Sequence, residues 1–459
     1  MASETRSGMH EAVIADLRST LRGALLTPAN PDYDAARAVW NGMIDRRPAL
    51  IVRCAGVADV IAAVRFAHDH DLVVAVRGGG HNVAGTAVCD DGLVIDLSGM
   101  RGIRVDPARR TARAEGGALY RDFDHETQAF GLATTGGTIS TTGIAGLTLG
   151  GGLGYLMRKH GLACDNLIGA DVVLADSSVV TASDDEHPDL FWALRGGGGN
   201  FGIATSLEYR LHPVGSALGG LLIHPVDRAV EALRFYRDFL PGAPEELAVQ
   251  PALLTTPDGV KIAAFIVCYT GPVADGEAAL VSLRRFGPPV ADTIQPMAYT
   301  AIQRMLDDSF PPARRHYWKS SFLSELSVGA IEAMVAQFLD APSPLSAMVL
   351  EPAGGAVARV APDATAFAHR NGHLNLLILS QWIDQAEAER HIGWARGAWA
   401  AMQPFADQAV YLNYMEAGAE GAARIQAAYV GNYERLTRVK AQYDPTNFLR
   451  GNQNIPPAR

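Results

Sequence analysis

Basic residues are outnumbered in this chain: 39 Lys and Arg stand against 49 Asp and Glu, a formal net charge of −10. A nucleic-acid backbone or an anionic membrane needs a basic face to hold it, so neither partner is expected. Cysteine is scarce as well. The four present, Cys54, Cys89, Cys164 and Cys268, form no CxxC pair and no metal-ligand spacing, so neither a disulfide framework nor a metal centre is expected. Free thiols in a reducing cytoplasm are the simplest reading. Also missing is any run of about eighteen apolar residues of the kind that spans a bilayer. Met1–Thr20 is polar with scattered charges and lacks the apolar centre of a secretory signal, so a cytoplasmic location is expected. No repeat period is evident.

Glycine is what the chain has in abundance, 47 in 459 residues, and it falls in short runs where backbone must turn tightly or approach a ligand. With 48% hydrophobic residues the chain can bury a large core, and its length suggests two or three domains. The spacing of Val57, Val60, Ile61 and Val64 predicts an amphipathic helix over 57–70. Residues 72–76 and 93–97 read as buried strands, and 171–182 as a hairpin turning at Asp176-Ser177-Ser178. Residues 203–211 alternate, with Ile203, Thr205, Leu207, Tyr209 and Leu211 facing one way. After Pro213 the glycine runs stop. Strand-like stretches (260–269, 374–379) then alternate with helix-like ones (226–239, 386–402), as in a second domain. The end returns to dense motif: a strand at 409–414, a helix near 421–442, then Tyr443-Asp444-Pro445-Thr446-Asn447.

Three glycine loops stand out, at 77–82, 136–154 and 196–202. Backbone N–H groups at such turns can converge on a phosphate because no Cβ blocks the approach. The third loop contains Gly197-x-Gly199-x-x-Gly202, formally a dinucleotide pattern. That motif needs a strand before it and a helix after it, whereas an alternating strand follows here, so a nicotinamide-dependent dehydrogenase is disfavoured. His81 closes the first loop. It reads either as a histidine capping a turn or as a nucleophile, since a neutral imidazole nitrogen can bond the 8α-methyl carbon of a flavin.

Taken together, Arg77-Gly78-Gly79-Gly80-His81-Asn82, Gly150-Gly151-Gly152-Leu153-Gly154-Tyr155, Asp165-Asn166, Asp189-Leu190-Phe191-Trp192, Arg195-Gly196-Gly197-Gly198-Gly199-Asn200-Phe201-Gly202 and Tyr443-Asp444-Pro445-x-Asn447 resemble the berberine-bridge-enzyme-like FAD-linked oxidases of the vanillyl-alcohol oxidase superfamily. The resemblance covers roughly residues 30–215 and 405–457. It implies an α+β fold: a PCMH-type FAD-binding domain of two α/β subdomains over 30–215, an inserted α+β substrate domain on an antiparallel sheet over 216–408, and a C-terminal return over 409–459. It also implies FAD held by Arg77, Gly78, Gly79, Gly80, Asn82, Gly137, Thr138, Thr142, Gly143, Gly146, Gly151, Gly152, Gly154, Asn166 and backbone near Ile203, with His81 as the 8α-N-histidyl link. Ile139 stands where many members carry a second flavin-bonded cysteine, so one covalent link is expected. Cys164 is read as structural. The single-histidine branch includes nicotine-alkaloid amine oxidases and the enterocin favorskiase, a flavin-dependent oxygenase; Trp40-Asn41-Gly42-Met43-Ile44-Asp45-Arg46-Arg47-Pro48 is similar to the latter. Thr142 replaces an apolar residue that shapes oxygen access in the family, and Leu153 and Val83 replace tyrosines of plant relatives.

By the same resemblance, Tyr414 of Tyr411-Leu412-Asn413-Tyr414 takes the role of base. A phenol, with a reference pKa of about 10, needs a neighbour to serve in that role. Its alternative is a core tyrosine with a bonded hydroxyl. Glu351, Asn375 and Gln381 are further pocket candidates, each also readable as structural. Asn452 and Asn454 either bond the flavin pyrimidine or cap turns. The expected activity is an oxidase acting with O2 on an alcohol, amine or phenolic small molecule and releasing H2O2. The alternatives are an oxygenase on a polyketide-like substrate and a flavin-binding protein with little turnover. A monomer or homodimer is expected.

Overall fold

A computed structural model describes residues 11–371, 374–407, 409–416 and 421–459. Its first half builds a four-stranded and a five-stranded sheet, with a short two-stranded ribbon of Leu132–Ala133 and His212–Pro213 beside them. In the four-stranded one the order is Ala24–Leu26, Leu50–Arg53, Leu93–Asp96, Val74–Arg77. Leu50–Arg53 and Val74–Arg77 both run parallel to Leu93–Asp96. Parallel strands need a crossover, and the predicted helix supplies it: Val57–Asp69 buries Val60, Ala63, Val64 and Ala67 against this sheet. Strand Val74–Arg77 then delivers the chain straight into the 77–82 loop, at the carboxyl end of the parallel strands where α/β sheets leave a ligand crevice.

The second sheet is five-stranded and antiparallel, in the order Ile103–Asp106, Thr111–Glu115, Ile203–Arg210, Leu167–Val173, Val179–Ala182. The predicted hairpin is its last pair. Ser178 N and Oγ both donate to Asp176 Oδ1, and Ser177 takes the left-handed conformation with φ 69° that the tight turn demands. Helices Tyr120–Gln128 and Pro188–Leu194 cover the sheet, placing Phe123, Leu190, Phe191 and Leu194 against Leu207 and Tyr209.

From Ala217 onward the chain builds an antiparallel sheet of eight strands. Its order is Ala291–Asp292, Ala217–Pro225, Lys261–Tyr269, Leu247–Thr255, Ala347–Pro352, Leu374–Trp382, Arg315–Leu323, with Gln295–Met297 also paired to Ala217–Pro225. Strand alternation decides which residues face which way. Met348, Leu350, Leu376 and Ile378 enter a core beneath helices Ala229–Phe239, Val328–Leu339 and Ala388–Met402. Val349, Glu351, Leu377 and Leu379 face the opposite way, toward the first half. The α+β arrangement and this antiparallel eight-stranded sheet match the expected fold class.

The C-terminal segment packs back on the first half. Helix Tyr433–Tyr443 contributes Leu436 and Val439 to the core of the five-stranded sheet. Its Lys440 pairs with Asp444 at 2.6 Å, both side chains 0% exposed, and the ammonium also donates to Asn200 O and Leu449 O. Two predicted elements differ. Residues 409–414 do not form a strand: Leu412–Tyr414 is a 3-10 turn. The Tyr411 hydroxyl accepts from Gly152 N and Leu153 N, and Asn413 Nδ2 donates to Leu147 O. Those side-chain anchors curl the backbone onto the glycine loop, where a strand ladder would hold it straight. The single helix expected over 421–442 is two, Gly421–Tyr429 and Tyr433–Tyr443, separated at Val430, where φ is 46°.

Candidate active site between the two halves

Between the glycine loops and the bare face of the eight-stranded sheet lies a cavity of about 600 Å³, mostly apolar in lining. One wall is Gly78, Gly79, Gly80, His81, Asn82, Gly137, Thr138, Ile139, Thr142, Gly143, Gly146, Gly198, Gly199 and Ile203; the other is Gln250, Leu254, Trp318, Val349, Glu351, Leu377 and Leu379; Tyr414, Asn452 and Gln453 join them. The glycines make this wall by close approach. A Cβ on Gly79 would sit 2.5 Å from Gly143 Cα and one on Gly143 would sit 2.4 Å from Gly79 N, so the first two loops lie directly against each other only because both lack side chains. The second half grips the same loop from outside. Gln303 Nε2 donates to Gly137 O and to Asp124 Oδ2, while Asp307 accepts from Ser140 N and Oγ at 2.9 and 2.6 Å.

Of the sequence-predicted residues, Arg77, Gly151, Gly152, Gly154, Asn166, Asn375, Gln381 and Asn454 do not line this cavity. Arg77 Nη1 donates to Ala36 O, bracing the turn from behind. Gly151, Gly152 and Gly154 form the layer beneath, where a Cβ on Gly154 would fall 1.6 Å from Gly136 O. Asn166 is spent on His160 O, Leu162 O and the His212 ring. Asn375 backs Glu351, Gln381 Nε2 donates to Ser309 O, and Asn454 lines a second, neighbouring cavity. Cys164 is fully buried, and burial pushes its thiol well up. Trp318, Gln250 and Gln453 are lining residues that motif reading passed over, and Gly198 and Gly199 of the third glycine loop join the lining although they were not among the residues expected to hold FAD. The third glycine run was a usable signal; the others rest on tertiary position alone.

Two chemically distinct groups face each other across the cavity. His81 stacks on Trp40 with ring centroids 4.1 Å apart, and burial pushes its pKa down to about 4, so the imidazole is neutral near pH 7. On the sheet side Glu351 accepts from Asn375 Nδ2 at 2.7 Å and from the Tyr414 hydroxyl at 3.1 Å. Burial raises Glu351 to about 7, against the two hydrogen bonds that pull it back. Burial and then the Glu351 charge hold Tyr414 well above the usual phenol range. The expected base, Tyr414, thus holds its proton tightly and donates it in a hydrogen bond to Glu351, a carboxyl whose raised pKa lies near pH 7.

Residues 48–183 match the family model for an FAD binding domain, and 410–456 match that for berberine and berberine like proteins. The chain is 32% identical over 458 residues to (R)-6-hydroxynicotine oxidase of Paenarthrobacter nicotinovorans, covering 95% of this chain and 97% of that one. To an FAD-linked oxidoreductase of Dictyostelium discoideum it is 30% identical over 462 residues, covering 100% and 99%. Among solved structures, 6-hydroxy-D-nicotine oxidase from Arthrobacter nicotinovorans superimposes with a TM-score of 0.87 at 30% identity, covering 95% of this chain and 98% of that one. Xylooligosaccharide oxidase from Myceliophthora thermophila C1, in complex with xylobiose, gives 0.87 at 25% identity, covering 98% and 100%. This chain belongs to the berberine-bridge-enzyme-like family of FAD-linked oxidoreductases, and it is an FAD-binding enzyme with a PCMH-type fold.

The lining fits that cofactor. His81 Nε2, Asn452 Oδ1 and Gln453 Nε2 are buried with no hydrogen-bond partner, an unpaid cost unless a polar ligand meets them. Gly146, on the cavity wall, has nothing within 4 Å of an added Cβ, so the cradle is open there. On the sheet wall Trp318 Nε1 and Gln250 Nε2 are likewise unpartnered, leaving two donors for a substrate. Among the described residues, no helix is long and apolar enough to cross a membrane.

Proposed function

We propose that this enzyme is an oxidase that takes a hydride from an alcohol, amine or phenolic small molecule and returns the electrons to O2 as H2O2. The single observation behind this reading is the Asn375–Glu351–Tyr414 chain of hydrogen bonds, which ends in the cavity opposite the glycine loops. Bound FAD would supply a two-electron acceptor whose reoxidation by O2 completes the cycle. The chain's own part is positional and protonic. Gly78, Gly79, Gly80, Asn82, Gly137, Thr138, Thr142, Gly143, Gly146 and Ile203 would hold the cofactor, with Asn452 and Gln453 as polar contacts and His81 as its single covalent anchor. Tyr414 would meet the O–H or N–H of the substrate and pass its proton to Glu351 as carbon loses hydride. Leu254, Val349, Leu377 and Leu379 would exclude water from the reacting carbon.

Residues 30–215 and 409–459 together form the cofactor part of this reading, and 216–408 the substrate part. The test is anaerobic bleaching of the flavin absorbance by candidate alcohols, amines and phenols, followed by peroxide measurement in air. One H2O2 per product supports the oxidase; product without peroxide, with an oxygen atom gained, favours the oxygenase, which the Thr142 hydroxyl on the cavity wall keeps in view. No bleaching by any class overturns both.

A further inference from the structure

We propose that Trp40 is a positioning residue that fixes the plane of the His81 ring for attachment to the flavin; this rests on the histidyl link proposed above. The indole lies between two imidazoles. His81 stacks on one side at 4.1 Å and 18°, His316 on the other at 4.0 Å and 18°. The two histidines come from opposite halves of the molecule, so the stack forms only when both halves are docked.

His81 needs such a support. It follows Gly80, whose φ of +66° marks a turn that only a residue without Cβ adopts freely. The final torsion of a histidine side chain is broad and sets no ring plane by itself. Its Nε2 has no hydrogen-bond partner to choose one. Apart from a hydrogen bond to its own backbone, the face of Trp40 is what holds the ring, and Trp40 is held rigidly. It is buried, its indole N–H donates to Phe310 O at 3.0 Å, its backbone N–H donates to Gly80 O at 3.1 Å, and its carbonyl accepts from Ala313 N at 3.0 Å. Asn41 repeats the bridge: its Nδ2 donates to Val83 O and His316 O, and its Oδ1 accepts from His316 N. Two consecutive residues thus clamp both sides of the His81 turn, Gly80 and Val83, to the strand that begins at Arg315.

Attachment replaces a C–H bond of the flavin 8α-methyl by a C–N bond to an imidazole nitrogen. One proton leaves the methyl and one leaves the imidazole N–H; the electron pair passes to molecular oxygen, which with those two protons becomes H2O2. The imidazole must point its lone pair at that carbon throughout, and orientation is what the indole provides.

The experiment compares wild type, W40F and W40L as purified holoproteins. Total flavin per chain is read by absorbance, and the covalent fraction by flavin retained on acid-precipitated protein and on the tryptic peptide containing His81. In wild type the covalent fraction should approach one. W40L should keep total flavin while its covalent fraction falls by at least about tenfold, a loss typical of misorientation. W40F, which still offers a ring face, should restore most of it. A W40L covalent fraction equal to wild type overturns the proposal, as does loss of total and covalent flavin in step, the result of a purely structural role. If W40L does not fold, the rate of attachment after FAD is added to flavin-depleted W40F decides: slower than wild type by a few-fold supports it, equal rates refute it. Wild type without acid-stable flavin sinks the histidyl link itself, an outcome distinct from failure of the Trp40 variants alone.

Discussion

Replacing Glu351 by Gln keeps the size of the side chain and removes its charge. In the native fold its carboxyl is raised from 4.5 to about 7, with burial as the main cause. At about 1.4 kcal/mol per tenfold change in proton affinity, that difference amounts to about 3 kcal/mol. The sign follows from linkage. The folded chain holds this proton more tightly than the unfolded chain, so the group costs nothing below pH 4.5; the cost grows as pH rises and is complete above about pH 7. Glu351→Gln lacks the cost, so its stability relative to wild type should improve by about 3 kcal/mol between pH 4.5 and pH 8. Asp124, also raised to about 7 by burial, is present in both proteins and cancels in the comparison. Catalysis should move the other way. Loss of a positioned base lowers the rate of flavin reduction by about 10²–10⁴. In wild type that rate should climb through about pH 7 as Glu351 ionises, and in the variant it should be low and flat. Anaerobic stopped-flow reduction across pH 5.5–8.5, with denaturant titrations at the two ends, measures both. A variant that reduces flavin at the wild-type rate, or keeps the wild-type pH dependence, refutes the proton relay.

Tyr414→Phe should slow flavin reduction by about 10–100-fold yet keep a rise with pH, moved above about 7 because the hydrogen bond that lowers Glu351 is lost; a flattened profile would contradict the assignment of the base. Since His81 is pushed down to about 4, covalent attachment should not accelerate between pH 6 and 8, and a steep increase over that range in acid-stable flavin formation would argue that the imidazole is protonated there. Gly79→Ala forces a methyl to 2.5 Å from Gly143 and should cost about 1–3 kcal/mol, seen as a lower melting temperature and weaker flavin retention. Asp444→Asn leaves Lys440 buried without its counter-charge and should destabilise the fold by about 3–5 kcal/mol in equilibrium unfolding; a change under about 1 kcal/mol would mean that water reaches the site.

Much of the cofactor half was legible because its constraints are local. The helix at 57–69, the hairpin turning at Asp176 and the alternation from Ile203 to Tyr209 each satisfy a periodicity or a turn rule within a dozen residues. Glycine runs at 77–82 and 136–143 announced the close approach that Gly79 and Gly143 make. The 3-10 turn at Leu412–Tyr414 escaped because it is dictated by bonds from Tyr411 and Asn413 to residues more than 250 positions away. Glu351 and Asn375 could be nominated singly, but their partnership is a matter of strand register, Glu351 opposite Asn375, which no local pattern encodes. Trp40 heads the Trp40–Pro48 stretch that carries part of the family resemblance, but its stacking on His81 and His316 exists only in the assembled molecule.

Gln303 and Asp307 sit in the region that shapes the substrate wall, yet their bonds end on Gly137, Asp124 and Ser140 in the cofactor half. Specificity and cofactor geometry are therefore not separable modules. A chimera that imports another relative's sheet to change what the enzyme accepts would also release the latch on the 137–143 loop, and it would lose flavin unless those two polar side chains travelled with the graft.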